Sequence, residues 1–310
     1  MGLVSLPNGI RNYQNLGLVV IAVIIGIIYP TGGRYLEPVI TPLVVFLIYS
    51  SLRGVGIDSV TRISYVRFIG LAICLSYFVF PVVGSLLVNN IPLPNTARLG
   101  FQIAFAVPAT AGSAIIWTRF AGGDTQLATV ISIVSLGLSP IFTPVVLNAL
   151  SGAQTEVPVI SILTNLFVIV AGGSALAGLI PDKSVSKATI DSGAMIAIAV
   201  IIYASVAGVR LHAISFDLFF TIICISLSLI GVGFLIAMSF ERWWQLGRKQ
   251  TLPLFFTVNL KNLGIALVIA LPYTSSLVVF TIVTYYIIQQ LIASLIADTL
   301  KGDSIASTPS

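Results

Sequence analysis

Charge is scarce in this sequence. Only 8% of the 310 residues are Asp, Glu, Lys or Arg, whereas 57% are hydrophobic. A soluble domain carries roughly a quarter charged residues, so this composition excludes an ordinary soluble fold. Apolar stretches of about 18 residues or more, the length that crosses a bilayer, follow one another along the chain. We therefore expect the lipid bilayer to surround most of the molecule.

Side chains that ligate metals or act as nucleophiles are scarce as well. The chain has one histidine, His212, and two cysteines, Cys74 and Cys224, which fall inside apolar runs. We expect these thiols to be free and the chain to lack a multi-histidine metal site. No apolar run holds the paired carboxylates or the serine and histidine that acid and base chemistry needs. The sequence therefore predicts no enzyme and no cofactor.

The basic residues are spread over the loops. The net charge is +5, but Lys and Arg occur one to three to a loop, without the clustering typical of nucleic-acid binding. When successive loops are assigned to alternate sides of the membrane, eleven of these basic residues lie on one side and three on the other. Basic residues in short loops stay in the cytoplasm, so we predict cytoplasmic N and C termini. The absence of a transit peptide favours a prokaryotic inner membrane.

Apolar runs bounded by Gly, Pro and charged residues predict ten transmembrane helices. Their approximate ranges are 15–30, 36–52, 65–88, 97–118, 124–149, 156–180, 187–209, 214–239, 249–271 and 274–299. Because the opening segment is polar, we expect no cleavable signal peptide. The fold class is thus an all-α polytopic membrane protein, a single unit over residues 1–310 with a disordered tail at 303–310.

Ten helices divide into two sets of five, about 15–149 and 156–299. Five is odd, so the second set enters the membrane in the opposite orientation and the two sets form an inverted repeat. Such repeats are typical of secondary transporters that work by alternating access. A channel is the alternative, because broken helices occur there too. A homodimer is also compatible with the sequence.

The fourth helix of each set is irregular. Helix-breaking, small and polar residues fall within these two spans at Pro108, Thr110, Gly112 and Ser113, and at Thr257, Asn259, Lys261 and Asn262. Interruptions at corresponding positions of two halves indicate a binding site near the membrane midplane. The helix N-termini that they create favour anions, so we predict a small organic anion as substrate. Alternatively, Pro108 and Gly112 only kink a helix or permit close packing.

Lys261 is the one ionisable residue near the centre of a predicted span. A charge at that depth costs about 2.5–3.5 kcal/mol, so it should face the protein interior. No acidic residue lies at a similar depth. We expect Lys261 to contact freed carbonyls, Asn259 and Asn262 or a bound anion, or to give up its proton during part of the cycle.

The fifth predicted helix carries a serine face. Ser132, Ser135 and Ser139 are spaced i, i+3 and i+7. Such serines usually serve helix packing. A hydroxyl face turned towards the two interruptions could also supply ligands.

Two stretches resemble the bile acid:sodium symporter family, within the bile/arsenite/riboflavin transporter superfamily. The first comprises PATAGS at 108–113, Gly123 with Asp124, and SLGLSPIFTP at 135–144; the second is TVNLKNLGIA at 257–266. The resemblance covers nearly the whole chain. It implies ten helices arranged as a panel and a core, with discontinuous fourth and ninth helices that cross at the midplane. It also implies transport of organic anions, usually coupled to sodium.

The chain departs from the family at the sodium ligands. Thr257 and Lys261 stand where the family has a glutamate and a glutamine, and Ser76 replaces another glutamine. Ala128 stands where serine is common, although Ser132 keeps a hydroxyl. An ammonium about 4 Å from a sodium ion costs about 4 kcal/mol at an effective dielectric of 20, so sodium binding is doubtful. We hypothesise that the Lys261 ammonium replaces a bound cation.

Three interpretations of the role of Lys261 stay open. The lysine could remain charged in a sodium-independent uniporter or exchanger. It could release a proton during the cycle of a proton-coupled carrier, or it could offset helix dipoles in a purely structural role. A sodium- or proton-coupled efflux carrier of the arsenite or auxin type is the nearest rival, although neither interrupted stretch holds the cysteine that arsenite favours.

Overall fold

A computed structural model describes residues 8–53, 65–152, 157–207, 214–273 and 275–306. Within these ranges the chain forms helices and, apart from one isolated bridge, no strand. The helices are α1 Asn8–Ile28, α2 Glu37–Leu52, α3 Val66–Asn89, α4 Asn95–Ala106, α5 Ala111–Phe120, α6 Thr125–Ser151, α7 Val159–Leu179, α8 Lys187–Ala207, α9 Phe216–Trp244, α10 Arg248–Asn259, α11 Leu263–Ala270 and α12 Ser276–Ala306. A 3-10 helix, Pro30–Tyr35, precedes α2, and α3 contains a π-helical segment, Leu75–Val79.

Six of these helices are long and apolar enough to cross a membrane. They are α3, α6, α7, α8, α9 and the Ser276–Ala297 part of α12. By contrast, α4, α5, α10 and α11 have only 12, 10, 12 and 8 residues. The all-helical membrane fold agrees with the sequence prediction. The count of ten spans, the inverted repeat and the division into panel and core stay predictions.

Most predicted helix boundaries lie within a few residues of the observed ones. α9 runs five residues beyond its predicted end at 239, and α12 runs to Ala306. Residues 303–306 of the predicted tail are therefore helical, whereas 307–310 lie outside the described residues. The extension of α12 has a local cause, since residues 295–306 contain no proline and several strong helix formers.

Helix packing places α12 beside both interrupted helices. α12 contacts α4 and α5, which lie before and after the first interruption, and α11, which follows the second, and it also packs along α9. α1 and α2 instead pack against α7 and α8. A buried aliphatic cluster that includes Ile40, Ile201 and Ile265 lies between these groups. The interruptions are thus held within the protein rather than against lipid.

Both predicted interruptions are confirmed. The first separates α4 from α5 at residues 107–110, where Val107 is extended (φ −75°, ψ 156°) because the following Pro108 disfavours a helical conformation. The second separates α10 from α11 at residues 260–262, where Leu260 is extended (φ −90°, ψ 102°). Each predicted long helix is therefore two short ones.

Candidate functional site

The two interruptions pair with each other. Ala109 and Lys261 form an antiparallel bridge. The Thr110 N–H donates to the Leu260 carbonyl, and the Asn262 N–H donates to the Pro108 carbonyl, both at 2.9 Å. Unwound backbone cannot be left unsatisfied in lipid. Each segment therefore supplies hydrogen bonds that the other lost when its helix stopped, and we call this paired region the crossing.

The side chain of Gln289, in α12, bonds to the outer edge of the crossing. The Lys261 N–H donates to Gln289 Oε1, and Gln289 Nε2 donates to the Lys261 carbonyl, both at 3.1 Å. Gln289 is 1% exposed. This residue was not among those predicted from the sequence. A glutamine inside an apolar helix was the available signal, because a buried side-chain amide needs partners.

The ammonium of Lys261 points into α3. Its Nζ donates to the Ser76 hydroxyl at 2.8 Å and to the Ser76 carbonyl at 3.0 Å. The rings of Tyr77 and Phe80 lie 5.9 and 5.5 Å from Nζ, within the range of a cation–π contact. Lys261 is 2% exposed, and no described carboxylate forms an ion pair with it. Of the partners expected for Lys261, the structure shows a freed carbonyl.

The π-helical segment of α3 explains why the Ser76 carbonyl is free. The Phe80 N–H bonds to the Leu75 carbonyl, five residues back. In the same register the donor for Ser76 would be residue 81, which is Pro81 and has no N–H. A buried carbonyl needs a partner, and the lysine ammonium supplies it. π-helical turns often occur at functional sites.

Asn262, Asn259 and Thr257 bond within their own segments. Asn262 Oδ1 accepts from the Ile265 N–H at 3.1 Å and caps α11. Asn259 Nδ2 and Thr257 Oγ1 donate to carbonyls of α10 at 2.9 and 2.7 Å. Asn259 Oδ1 is buried without a described partner and lies against Gly233 of α9. Neither asparagine side chain hydrogen-bonds to the Lys261 ammonium, and of the alternatives predicted for that group the freed carbonyl is the one observed.

The start of α5 is open. Thr110 occupies the N-cap position, yet its side chain makes no capping bond. A Cβ added at Gly112 would meet nothing within 4 Å. Ser113 Oγ accepts from Gln290 Nε2 at 3.0 Å. The first amides of α5 thus lack a side-chain cap, in contrast to those of α11.

The serine face of α6 supports the crossing from the side opposite Gln289. Ser135 Oγ accepts from the Ala109 N–H at 3.1 Å, and the Tyr77 hydroxyl donates to the Ser135 carbonyl at 2.8 Å. Ser139 Oγ donates to the Leu136 carbonyl, which Pro140 leaves without its helical donor. Ser132 Oγ is buried with no described partner. Two of the three serines therefore have structural bonds.

Comparisons with known proteins identify a transporter family. The model of the SBF-like CPA transporter family matches residues 14–302. The uncharacterized protein YbaS of Bacillus subtilis (strain 168) is 27% identical over 219 residues, which cover 68% of this chain and 70% of YbaS. The match extends across both interruptions and all six long apolar helices.

Proposed function

The chain belongs to the SBF-like CPA transporter family and is a multi-pass membrane transporter, and from that premise we propose that it carries a small organic anion without sodium. The Lys261 ammonium serves as a resident cation beside the crossing. Transport proceeds by alternating access in a prokaryotic inner membrane, with both termini in the cytoplasm. The single observation on which the proposal depends is the contact between Lys261 and Ser76.

The environment of Lys261 Nζ resembles a site for a monovalent cation. A carbonyl and a hydroxyl oxygen lie 3.0 and 2.8 Å away, and both belong to Ser76. Hard cations bind oxygen ligands, and carbonyl oxygens are among them. A sodium ion at the same oxygens would meet the ammonium at close range, where repulsion costs about 4 kcal/mol. The covalently attached charge therefore makes a sodium requirement unnecessary.

An anionic substrate follows from the charge balance. No described carboxylate pairs with Lys261, so its positive charge is not cancelled within the described part of the chain. The uncapped start of α5 adds backbone N–H groups and the positive end of a helix dipole. The absence of a side chain at Gly112 lets a ligand approach that backbone closely. Both features favour a carboxylate or a similar group.

A further part of the proposal concerns whether transport is coupled to the movement of protons. Two accepting oxygens and two ring faces all favour the protonated form of the lysine. Burial away from any carboxylate of the described residues opposes the charge. We propose that the contacts outweigh this effect, so that the lysine stays charged in a uniporter or exchanger. A proton-coupled carrier is the second candidate, and a pH gradient distinguishes the two.

Uptake into proteoliposomes tests the proposal. A panel of labelled anions, from pyruvate and pantoate to taurocholate, is offered with sodium outside or with potassium in its place. We expect uptake that persists in potassium, does not respond to an imposed pH gradient and is lost in Lys261→Met. Lys249→Met is the matched control, because Lys249 is an exposed lysine at the start of α10. A strict sodium requirement would overturn the proposal.

A further inference from the structure

The pairing geometry of the crossing leaves Lys261 with two backbone groups that the first interruption does not use. The bonds of the bridge are made by the flanking residues, Thr110 to Leu260 and Asn262 to Pro108. In an antiparallel ladder this is the non-hydrogen-bonded type of pair, whose own N–H and C=O point outward. The outward groups of Lys261 therefore face α12. In that buried position they require partners.

Gln289 makes the bonds that a third strand would make. Its side-chain amide accepts from the Lys261 N–H and donates to the Lys261 carbonyl, which is the double exchange of a hydrogen-bonded strand pair. On the other segment, the outward N–H of Ala109 goes to Ser135 in α6. The crossing is thus held from α6 on one edge and from α12 on the other.

We propose that Gln289 is a positioning residue for Lys261. By holding the Lys261 backbone extended, it keeps the second interruption open and aims the side chain at Ser76 of α3. Without this amide, the buried N–H and C=O of Lys261 lose their partners. Rewinding towards a continuous helix would then supply new hydrogen bonds to these groups. Rewinding would turn the ammonium away from Ser76. The expected effect on transport rests on the proposed function. The expected changes in the Lys261 backbone and in the direction of its ammonium do not.

The neighbouring Gln290 provides a matched control. It is the same residue type on the same helix and is only 9% exposed. Its amide bonds to two side chains of α5. Gln290 Nε2 donates to Ser113 Oγ, and Gln290 Oε1 accepts from Trp117 Nε1, both at 3.0 Å. Loss of that amide disturbs α5 and leaves the Lys261 backbone bonds in place. Methionine is the replacement at either site, since it matches glutamine in length and lacks the amide.

Two measurements on the full chain in lipid nanodiscs test the proposal. Hydrogen exchange of a peptide that covers residues 256–266 reports on the Lys261 amide. Reductive methylation with formaldehyde and cyanoborohydride, resolved by mass spectrometry, reports on the ammonium, with exposed Lys249 as the internal reference. We expect Gln289→Met to raise both the exchange rate at Lys261 and its methylation relative to Lys249 by about tenfold. We expect Gln290→Met to change neither.

Transport measured in the same variants separates positioning from general stabilisation. If Gln289 acts by aiming the ammonium, Gln289→Met raises the KM for the anion about tenfold while the Vmax changes little. Unchanged exchange and methylation in Gln289→Met, or equal changes in Gln290→Met, overturn the positioning role. If exchange and methylation change as expected but wild-type protein carries no anion, the positioning role stands and the proposed function fails.

Discussion

The Nζ of Lys261 lies 2.8 Å from the hydroxyl of Ser76, although the two residues are 185 positions apart in the chain. The contact joins the crossing to the π-helical segment of α3. It exists because Pro81 withholds a backbone donor from the Ser76 carbonyl and because Lys261 occupies a helix break directed at α3. Lys261 donates the hydrogen bond that the Ser76 carbonyl lacks within α3, and Ser76 supplies the acceptors for the ammonium.

Replacing Ser76 with alanine removes the hydroxyl and keeps the carbonyl. A hydrogen bond to a charged group contributes about 1.5–3 kcal/mol, so we expect Ser76→Ala to lower the unfolding free energy by about that amount. The measurement is unfolding by SDS titration in mixed micelles. Ser226→Ala is the control, because Ser226 is equally buried but bonds only to a carbonyl of its own helix. Equal losses in both variants would show that the ammonium contact adds nothing.

Replacing Pro81 with alanine restores a backbone N–H within reach of the Ser76 carbonyl. This N–H competes with the Lys261 ammonium, so we expect Pro81→Ala to increase methylation of Lys261 several-fold. Pro140→Ala also restores an N–H, but the Leu136 carbonyl that it could reach accepts from the Ser139 hydroxyl rather than from the lysine. Methylation of Lys261 should not change in that variant. Unchanged methylation of Lys261 in Pro81→Ala would contradict our explanation of the contact.

Gly233 allows Asn259 to fit against α9. A Cβ added at residue 233 would overlap the Asn259 amide, with 2.6 Å to its Cγ. Overpacking of this kind costs about 1–3 kcal/mol, which we expect for Gly233→Ala in the same SDS titration. Gly231→Ala, on the same helix, meets nothing within 4 Å and should be neutral or slightly stabilising. The double variant Gly233→Ala with Asn259→Ala should recover part of the loss; no recovery would locate the clash elsewhere.

The two N-caps of the crossing should respond differently to alanine. Asn262→Ala removes the capping bond to the Ile265 amide and should cost about 1 kcal/mol of unfolding free energy. Thr110→Ala should cost much less, because the Thr110 side chain makes no capping bond. If Thr110→Ala instead lowers anion affinity without a change in stability, the open start of α5 is a binding surface. Equal destabilisation by both variants would argue against the asymmetry.

The amino-acid sequence was sufficient to predict the all-helical membrane fold and the two interruptions. Scarce charge and long apolar runs require lipid as solvent, which leaves helices as the available backbone structure for such a chain. Pro108 ends α4 by disfavouring a helical conformation at Val107, a property of one residue and its neighbour. Lys261 is recognisable from its charge within an apolar run. These signals are local and need no knowledge of how the helices pack.

The partners of these residues depend on the tertiary structure. The contact of Lys261 with Ser76, the amide pair of Gln289 and the contact of Asn259 with Gly233 leave no periodic pattern in the sequence, because each needs two distant segments to meet at one depth and angle. Burial then selects among the available partners, since an unpaired carbonyl or ammonium is costly away from water. Packing therefore decided that Lys261 bonds to Ser76 rather than to the neighbouring asparagines.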